Sequence, residues 1–323
     1  MAESKQLDVV VLAGGISHER DVSLRSGRRV ADSLTSLGHR VRVLDPDAGL
    51  LGSLADRRPD VIWPVLHGAT GEDGALLAVL ETTGIPCVAP RGRSAGLAWS
   101  KPIAKELVRR AGYATPDSIS LSTETFRDLG AAAVLRSVMT ALGTTLVVKP
   151  AQGGSAQGVT MVDSASALPR AMVDAYTYAD TALVENRVVG TELAITVIDT
   201  GHGPKALPAV EIVPRSGVYS FEERYNAGET TFYTPARVSM VIADEVADAA
   251  KAIHALLGLR HLSRIDFIVD EAGTPWFLEA NVLPGLTETS LVPQAIEASG
   301  DSLGAVYEAL ARAAVASSAE IGD

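Results

Sequence analysis

Cysteine is almost absent from this chain: Cys87 is the only one in 323 residues. A single thiol excludes an internal disulfide framework and a cysteine-based zinc site, and leaves Cys87 to be read as a small buried hydrophobe. Cations are short as well, with 28 Lys and Arg against 39 Asp and Glu, a net charge of −11. That balance excludes a surface that coats DNA or RNA, which needs clustered Lys and Arg. A small phosphorylated ligand in a local basic pocket stays open. No apolar run approaches the ~18 residues of a membrane span, and the opening MAESKQLDVVVLAGG lacks the charged-then-apolar layout of a signal peptide. The expectation is a soluble cytoplasmic protein with no nucleic-acid or membrane partner. Two phosphate-binding patterns are missing too, G-x-x-x-x-G-K-[ST] and G-x-G-x-x-G, so neither a P-loop NTPase nor a simple dinucleotide binder is supported.

What is present is an ordinary globular balance, 47% hydrophobic and 21% charged, long enough for two or three lobes. LDVVVLAGG, HRVRVLD and DVIWPVLHG read as buried strands, and IPCVAP as a further short one. Helical stretches lie between them, one from about Ser17 to Leu37 with Ser17 as N-cap and another in GALLAVLETTG. Strand–helix alternation predicts an α/β, doubly wound parallel sheet over roughly residues 1–90. Ligands sit beyond the carboxyl ends of such strands, here AGGISHER and HGATGEDG. The middle of the chain reads as the helix SKPIAKELVRRAG, a helical stretch near 124–143, the strand TTLVVKP, the helix ALPRAMVDAYTYA and the strand TALVENRVVG. From about residue 191 strands dominate, flanked by helices near 242–258 and 303–318. The polar, aromatic, glycine-containing stretch 217–236 shows no clean period and is read as a lid.

The stretch SRIDFIVDEAGTPWFLEANVLPG (263–285) reads as a hairpin turning at DEAG, with Val269 opposite Thr274. That register sets Asp266 opposite Phe277 and Arg264 opposite Glu279. Strand alternation then puts Arg264, Asp266, Glu279 and Asn281 on one face, and Ile265, Phe267, Trp276 and Leu278 on a core face. Two carboxylates and an amide oxygen are hard donors of the kind magnesium takes together with phosphate oxygens. The same spacing also accommodates a purely structural Arg264–Glu279 pair with Asp266 at a sheet edge. Upstream, LVVKPAQGGSAQGV sets Lys149 at a strand end before Gly153, Gly154, Ser155 and Gly158, where backbone N–H groups can approach phosphate. ALVENRVVGTE adds Glu185 and Glu192 at a strand exit, where backbone can read a base edge and a carboxylate can hold ribose hydroxyls.

Taken together and in this order, these stretches resemble the ATP-grasp superfamily, and within it the D-alanine–D-alanine ligases. AGGISHERDVSLRSG and HGATGEDG match substrate motifs, and RIDF with LEANVLPGLTETSLVP matches the metal and acceptor motif; the likeness covers nearly the whole chain. It implies an ATP-grasp fold: a substrate-binding domain over 1–92, a central lobe over 93–189, and a C-terminal lobe over 190–323 carrying the metal site and the lid. It implies that Lys101 and Lys149 contact ATP phosphates, with Gly154 and Ser155 in the same loop, while Glu185, Asn186, Val188 and Glu192 hold adenine and ribose. Asp266, Glu279 and Asn281 would hold two Mg2+ ions, with Mn2+ as a substitute. Glu19 would take the ammonium of the first D-alanine beside His67, and Ser155 and Tyr225 would link the lid to Glu19. Arg264 and the Gly285 N–H would stabilise an oxyanion, and Ser290 and Leu291 would meet the second D-alanine's carboxylate.

The implied activity is ATP-dependent joining of two D-alanines for peptidoglycan precursor, in a homodimer. Departures from the usual motifs fall at Leu77 and Ala78 (usually Gln-Gly), Ala156 (often serine), PCVAPRG, and Arg224 (commonly lysine). They motivate an alternative, a related ATP-grasp ligase that joins another amino-acid pair. A catalytically silent ATP-binding regulator is the rival of another class, and retention of Lys149, Arg264, Asp266, Glu279 and Asn281 argues against it.

Overall fold

A computed structural model describes residues 5–217, 219, 223–224 and 228–319. The first sheet is parallel, in the order β2 (Arg40–Leu44), β1 (Asp8–Leu12), β3 (Val61–Pro64). Both faces of β1 are buried, which is why Val9 to Leu12 form an unbroken apolar run after Asp8. Val9 and Val11 pack with Val30, Leu34 and Trp63, while Val10 and Leu12 pack with Leu54 and Leu77 on the other side. The C-terminal helix Leu303–Ala319 returns to this sheet, setting Tyr307 edge-on to Trp63 at 5.3 Å between ring centroids. IPCVAP contributes only one bridge, Ile62 to Cys87, because Pro86 has no N–H to continue a ladder. The first helix begins at Arg20, two residues later than expected. Ser17 Oγ accepts the Glu19 N–H at 3.2 Å, so Glu19 occupies the cap position with its carboxylate unused for capping.

The second sheet is antiparallel, in the order β4 (Ser118–Ser122), β7 (Thr181–Asn186), β5 (Leu146–Pro150), β6 (Thr160–Val162). Leu146, Val148, Ala182 and Val184 face helices Ala131–Leu142 and Leu168–Tyr176. The opposite face presents Val147, Lys149 and Glu185. The helical stretch near 124–143 is two helices, broken at Gly130, which adopts φ +79°.

The third sheet runs β11 (Thr230–Tyr233), β10 (Val210–Pro214), β8 (Thr191–Ile198), β12 (Leu262–Val269), β13 (Pro275–Asn281), with β9 (Lys205–Ala206) beside β8. β11 lies within the stretch read as an irregular lid, so 230–233 is ladder rather than loop. The β12–β13 register also differs from expectation. Asp270 closes the turn with its own carboxylate, accepting the Ala272 and Thr274 N–H groups at 2.9 Å each, so pairing begins at Val269–Pro275. A bulge follows between Phe267–Phe277 and Asp266–Glu279, leaving Leu278 as the extra residue. Phe277 turns its N–H to the Ala114 carbonyl and its carbonyl to the Thr115 hydroxyl.

The bulge has a direct consequence for the side chains. Phe277 moves into the core with Ile265 and Phe267, while Trp276 and Leu278 leave it. Arg264 now stands opposite Asn281 and Asp266 opposite Glu279, so the four polar residues still share one face. The expected Arg264–Glu279 cross-strand pair is replaced by an Arg264–Asp266 pair within one strand.

HGATGEDG forms one helical turn, Ala69–Glu72, and ends at Gly74, whose φ of +89° hinges it to the next helix, Ala75–Glu81. A Cβ on Gly74 would meet the Gly92 carbonyl oxygen at 2.0 Å. Gly74→Ala is therefore expected to cost roughly 2–4 kcal/mol through backbone strain and collision, read as a lower urea midpoint. An unchanged midpoint would show that the hinge tolerates a side chain.

Candidate functional site

Two clefts adjoin where the three sheets meet. The larger, about 1300 Å³, is walled by the polar faces of the second and third sheets. From the second sheet come Lys149 and Glu185, diagonal neighbours on β5 and β7. Glu185 is buried, with Oε1 2.5 Å from Lys149 Nζ and Oε2 paired with Lys105 Nζ. Burial opposes its ionisation, but the two lysines outweigh that and hold its pKa below the ordinary value. From the third sheet come Glu192 on β8, Asp266 and Ile268 on β12, and the bulged Leu278 and Glu279. Burial pushes Glu192 up to about 7.

Glu279 is 3.2 Å from Lys101 Nζ. Burial would raise its pKa, yet Lys101, Arg224, Lys149 and Arg264 together hold it down to about 2. Beside it Arg264 grips Asp266 with Nε–Oδ1 at 2.8 Å and Nη2–Oδ2 at 2.7 Å, and Asn281 Nδ2 donates to Asp266 Oδ2 at 3.0 Å. Among the described residues no three His, Cys, Asp or Glu side chains converge as a complete cation site. Asp266, Glu279 and Asn281 nonetheless fit a hard divalent ion that takes part of its shell from phosphate or water, since all three carry oxygen donors on one face.

The smaller cleft, about 760 Å³, lies between AGGISHER, HGATGEDG and the segment after β13. Glu19 reaches in from the start of the first helix and accepts the Ser155 hydroxyl. His67 is buried, its Nδ1 3.0 Å from the Leu283 carbonyl, which makes Nδ1 the protonated nitrogen. Burial lowers its pKa, so the ring is neutral. On the far side Leu286 N–H donates to Ser26 Oγ and Thr287 N–H to Ser290 Oγ, fixing the loop ahead of helix Leu291–Ala298. Ser290 is the cap residue of that helix and makes no side-chain cap bond, and Ser290 and Leu291 bring the helix N-terminus to this cleft, a setting that favours a carboxylate. A Cβ on Gly285 would sit 2.9 Å from Ser290 Oγ, so a side chain there would have to displace that hydroxyl.

A glycine-rich loop joins the two clefts. Gly154 lines both, and Ser155 and Ala156 take left-handed conformations at φ +50° and +55°. The Gly153 carbonyl accepts Lys101 Nζ at 2.6 Å while Ser155 reaches Glu19. One short segment thus touches a lysine of the larger cleft and the carboxylate of the smaller.

The chain is similar to known proteins over nearly its whole length. The family model described as "D-ala D-ala ligase C-terminus" matches residues 107–311. A D-alanine–D-alanine ligase of Anaeromyxobacter sp. (strain Fw109-5) is 40% identical over 287 residues, 88% of this chain and 90% of the relative. One from Bordetella petrii is 38% identical over 294 residues, 91% and 88% of the two chains. The chain belongs to the D-alanine–D-alanine ligase family. In a solved structure, the D-alanine–D-alanine ligase from Bacillus anthracis superposes with a TM-score of 0.84 at 26% identity, covering 98% of this chain and 100% of the other.

Of the residues the ligase family implies, Lys101, Lys149, Gly154, Glu185, Asn186, Val188, Glu192, Asp266 and Glu279 line the larger cleft. Glu19, His67, Ser155, Arg264, Asn281, Gly285, Ser290 and Leu291 line the smaller. Asn186 lines its cleft with its amide engaged elsewhere, donating to the Leu142 carbonyl at 2.6 Å. Tyr225 lies outside the described residues. Arg224, at the family's usual lysine position, stacks 4.2 Å from the Tyr219 ring centroid and lines both clefts.

Two residues escaped sequence reasoning. Lys105 carried a signal, being four residues beyond Lys101 on one helix. Glu72 sits inside HGATGEDG, where burial was invisible. Its Oε2 accepts the Gly68 N–H at 2.9 Å, and burial, with Glu19 adding, pushes its pKa up to about 8 from an ordinary 4.5. The folded protein therefore keeps a proton that the unfolded chain releases. Its stabilising contribution is full below pH 4.5 and is lost as pH rises toward about 8. Glu72→Gln is expected to raise the melting temperature of the ligand-free protein at pH 8 and to change it little at pH 5. A difference independent of pH would contradict the assignment.

Proposed function

We propose that this chain is an ATP-dependent D-alanine–D-alanine ligase, with ATP in the larger cleft and the amino acids in the smaller. The observation that carries the reading is the meeting of the clefts at the glycine loop, with Lys101 and Lys149 on one side and Glu19 and Arg264 on the other. A carboxylate does not react with an amine directly, because its leaving group would be oxide. One oxygen of the first D-alanine's carboxylate attacks the γ-phosphorus of ATP, the bond to the β-bridging oxygen breaks, and ADP leaves. The amine of the second D-alanine attacks the resulting acylphosphate carbon and phosphate departs, giving D-alanyl-D-alanine.

Each role falls to a residue placed for it. Glu19 takes the ammonium of the first D-alanine beside neutral His67. Lys101 and Lys149 meet the phosphates, and Glu185, Val188 and Glu192 surround the base and ribose. Magnesium, two ions held by Asp266, Glu279 and Asn281, would neutralise phosphate charge. Arg264 already holds Asp266 in a two-pronged grip, and with the Gly285 N–H it faces the oxyanion of amine attack. Ser290 and Leu291, at a helix N-terminus, receive the second carboxylate. An acylphosphate hydrolyses readily, so water exclusion belongs to the mechanism, and Tyr219 and Arg224, which line both clefts, contribute to it. A cytoplasmic homodimer supplying peptidoglycan precursor completes the proposal. No helix among the described residues is long and apolar enough to cross a membrane.

A second reading, a ligase joining another amino-acid pair, is favoured by Arg224, whose guanidinium lines the amino-acid cleft at a position the family commonly gives to lysine. ADP release across a panel of D- and L-amino acids, with mass spectrometry of the product, separates the two. The first reading predicts release with D-alanine alone and a D-alanyl-D-alanine product; silence with D-alanine contradicts it. Glu279→Gln should leave the protein folded with a lower melting temperature, because Lys101 loses its buried partner, and lower kcat at least ~100-fold. Near-normal turnover would remove Glu279 from the metal site.

A further inference from the structure

Helix Lys101–Arg110 carries two buried lysines spaced four residues apart and so on one helix face, of which Lys101 lines the larger cleft. Lys101 Nζ goes to the Gly153 carbonyl and Glu279. Lys105 goes to Glu185 on the opposite wall. At 1% exposure Lys105 lies behind that wall and does not line the cleft, whereas Lys149 and Glu185 do. Its ion-pair partner is Glu185, so its contact with a ligand in the cleft runs through Glu185.

The charges of this buried trio set what it can do. Glu185 has two carboxylate oxygens, and each has its own lysine: Oε1 holds Lys149, and Oε2 holds Lys105. Without Lys105, a buried carboxylate would have Lys149 as its one ion-pair partner. The two would neutralise each other, and the wall would present no net charge to an anion. With Lys105 in place, one positive charge is left over, and Lys149 is the member of the trio that can present it to the cleft. Resting on the reading of this cleft as the ATP site, we propose that Lys105 is a positioning residue for nucleotide binding: it anchors one oxygen of Glu185 and leaves Lys149 to face the nucleotide's negative charge. Burial draws Lys105 down to about 8, against the pull of Glu185, which leaves it charged at neutral pH.

The test compares K105M, E185Q and K105M/E185Q in the full chain, by calorimetry with ATP and magnesium and by steady-state kinetics. K105M keeps the length of the side chain and removes the charge. Its Kd for ATP should rise roughly 10- to 100-fold, the scale of one charged hydrogen bond lost. The KM for ATP should follow, while the KM for D-alanine at saturating ATP stays within about twofold. Because Lys105 acts through Glu185, the double variant should bind ATP within about threefold of E185Q alone. ATP binding by K105M at wild-type strength overturns the proposal. So does a double variant that shows both losses multiplied in full. Should K105M fail to fold, the double variant leaves no unpaired carboxylate, and its comparison with E185Q decides. Wild-type protein that binds ATP but releases no ADP with D-alanine would sink the ligase reading alone, with calorimetry still reporting on Lys105.

Discussion

A charge taken out of water must find a partner, and this constraint organises the centre of the molecule. Glu185 holds Lys105 and Lys149, Glu279 holds Lys101, and Asp266 holds Arg264. Three of these four contacts join residues from different elements. The helix Lys101–Arg110 supplies a lysine to β7 and another to β13, so the same pairing that makes its lysines tolerable ties the second sheet to the third. The cleft between them is lined by charges already fixed in place. A site built this way needs little rearrangement to meet a polyanion, because the orientation of its cations has been settled by folding.

The two clefts are as dependent on each other as the sheets are. Ser155 in the glycine loop reaches Glu19, and Gly153 in the same loop receives Lys101. A movement of this loop would change contacts in both clefts together. That coupling suits a reaction in which a phosphoryl group crosses from one bound molecule to another. Left-handed backbone at Ser155 and Ala156 shows the loop held in a conformation that its surroundings impose.

Much of this was legible in the sequence, for reasons that can be named. Alternation along β12 and β13 put Arg264, Asp266, Glu279 and Asn281 on one face, and the ordered motifs pointed to the D-alanine–D-alanine ligases. The register was not legible, because it depended on Asp270 closing the turn with its side chain and on Leu278 being bulged out. The two departures together preserve the polar face, since a bulged residue restores the alternation that the longer turn had shifted; the core assignment of Trp276 and Leu278 had no such protection. Lys105 was overlooked because an internal lysine on an amphipathic helix reads as solvated until Glu185 is seen opposite it. Glu72 was overlooked because its burial comes from packing between segments far apart in the chain.

The central claim is that ATP activates a carboxylate by phosphorylating it within these adjoining clefts. The most direct test uses D-alanine labelled with 18O in its carboxylate and follows the label into inorganic phosphate during turnover. Formation of an acylphosphate predicts phosphate carrying one labelled oxygen per peptide bond formed, since the carboxylate oxygen that attacks phosphorus leaves with it. Unlabelled phosphate released in step with the dipeptide would contradict the account.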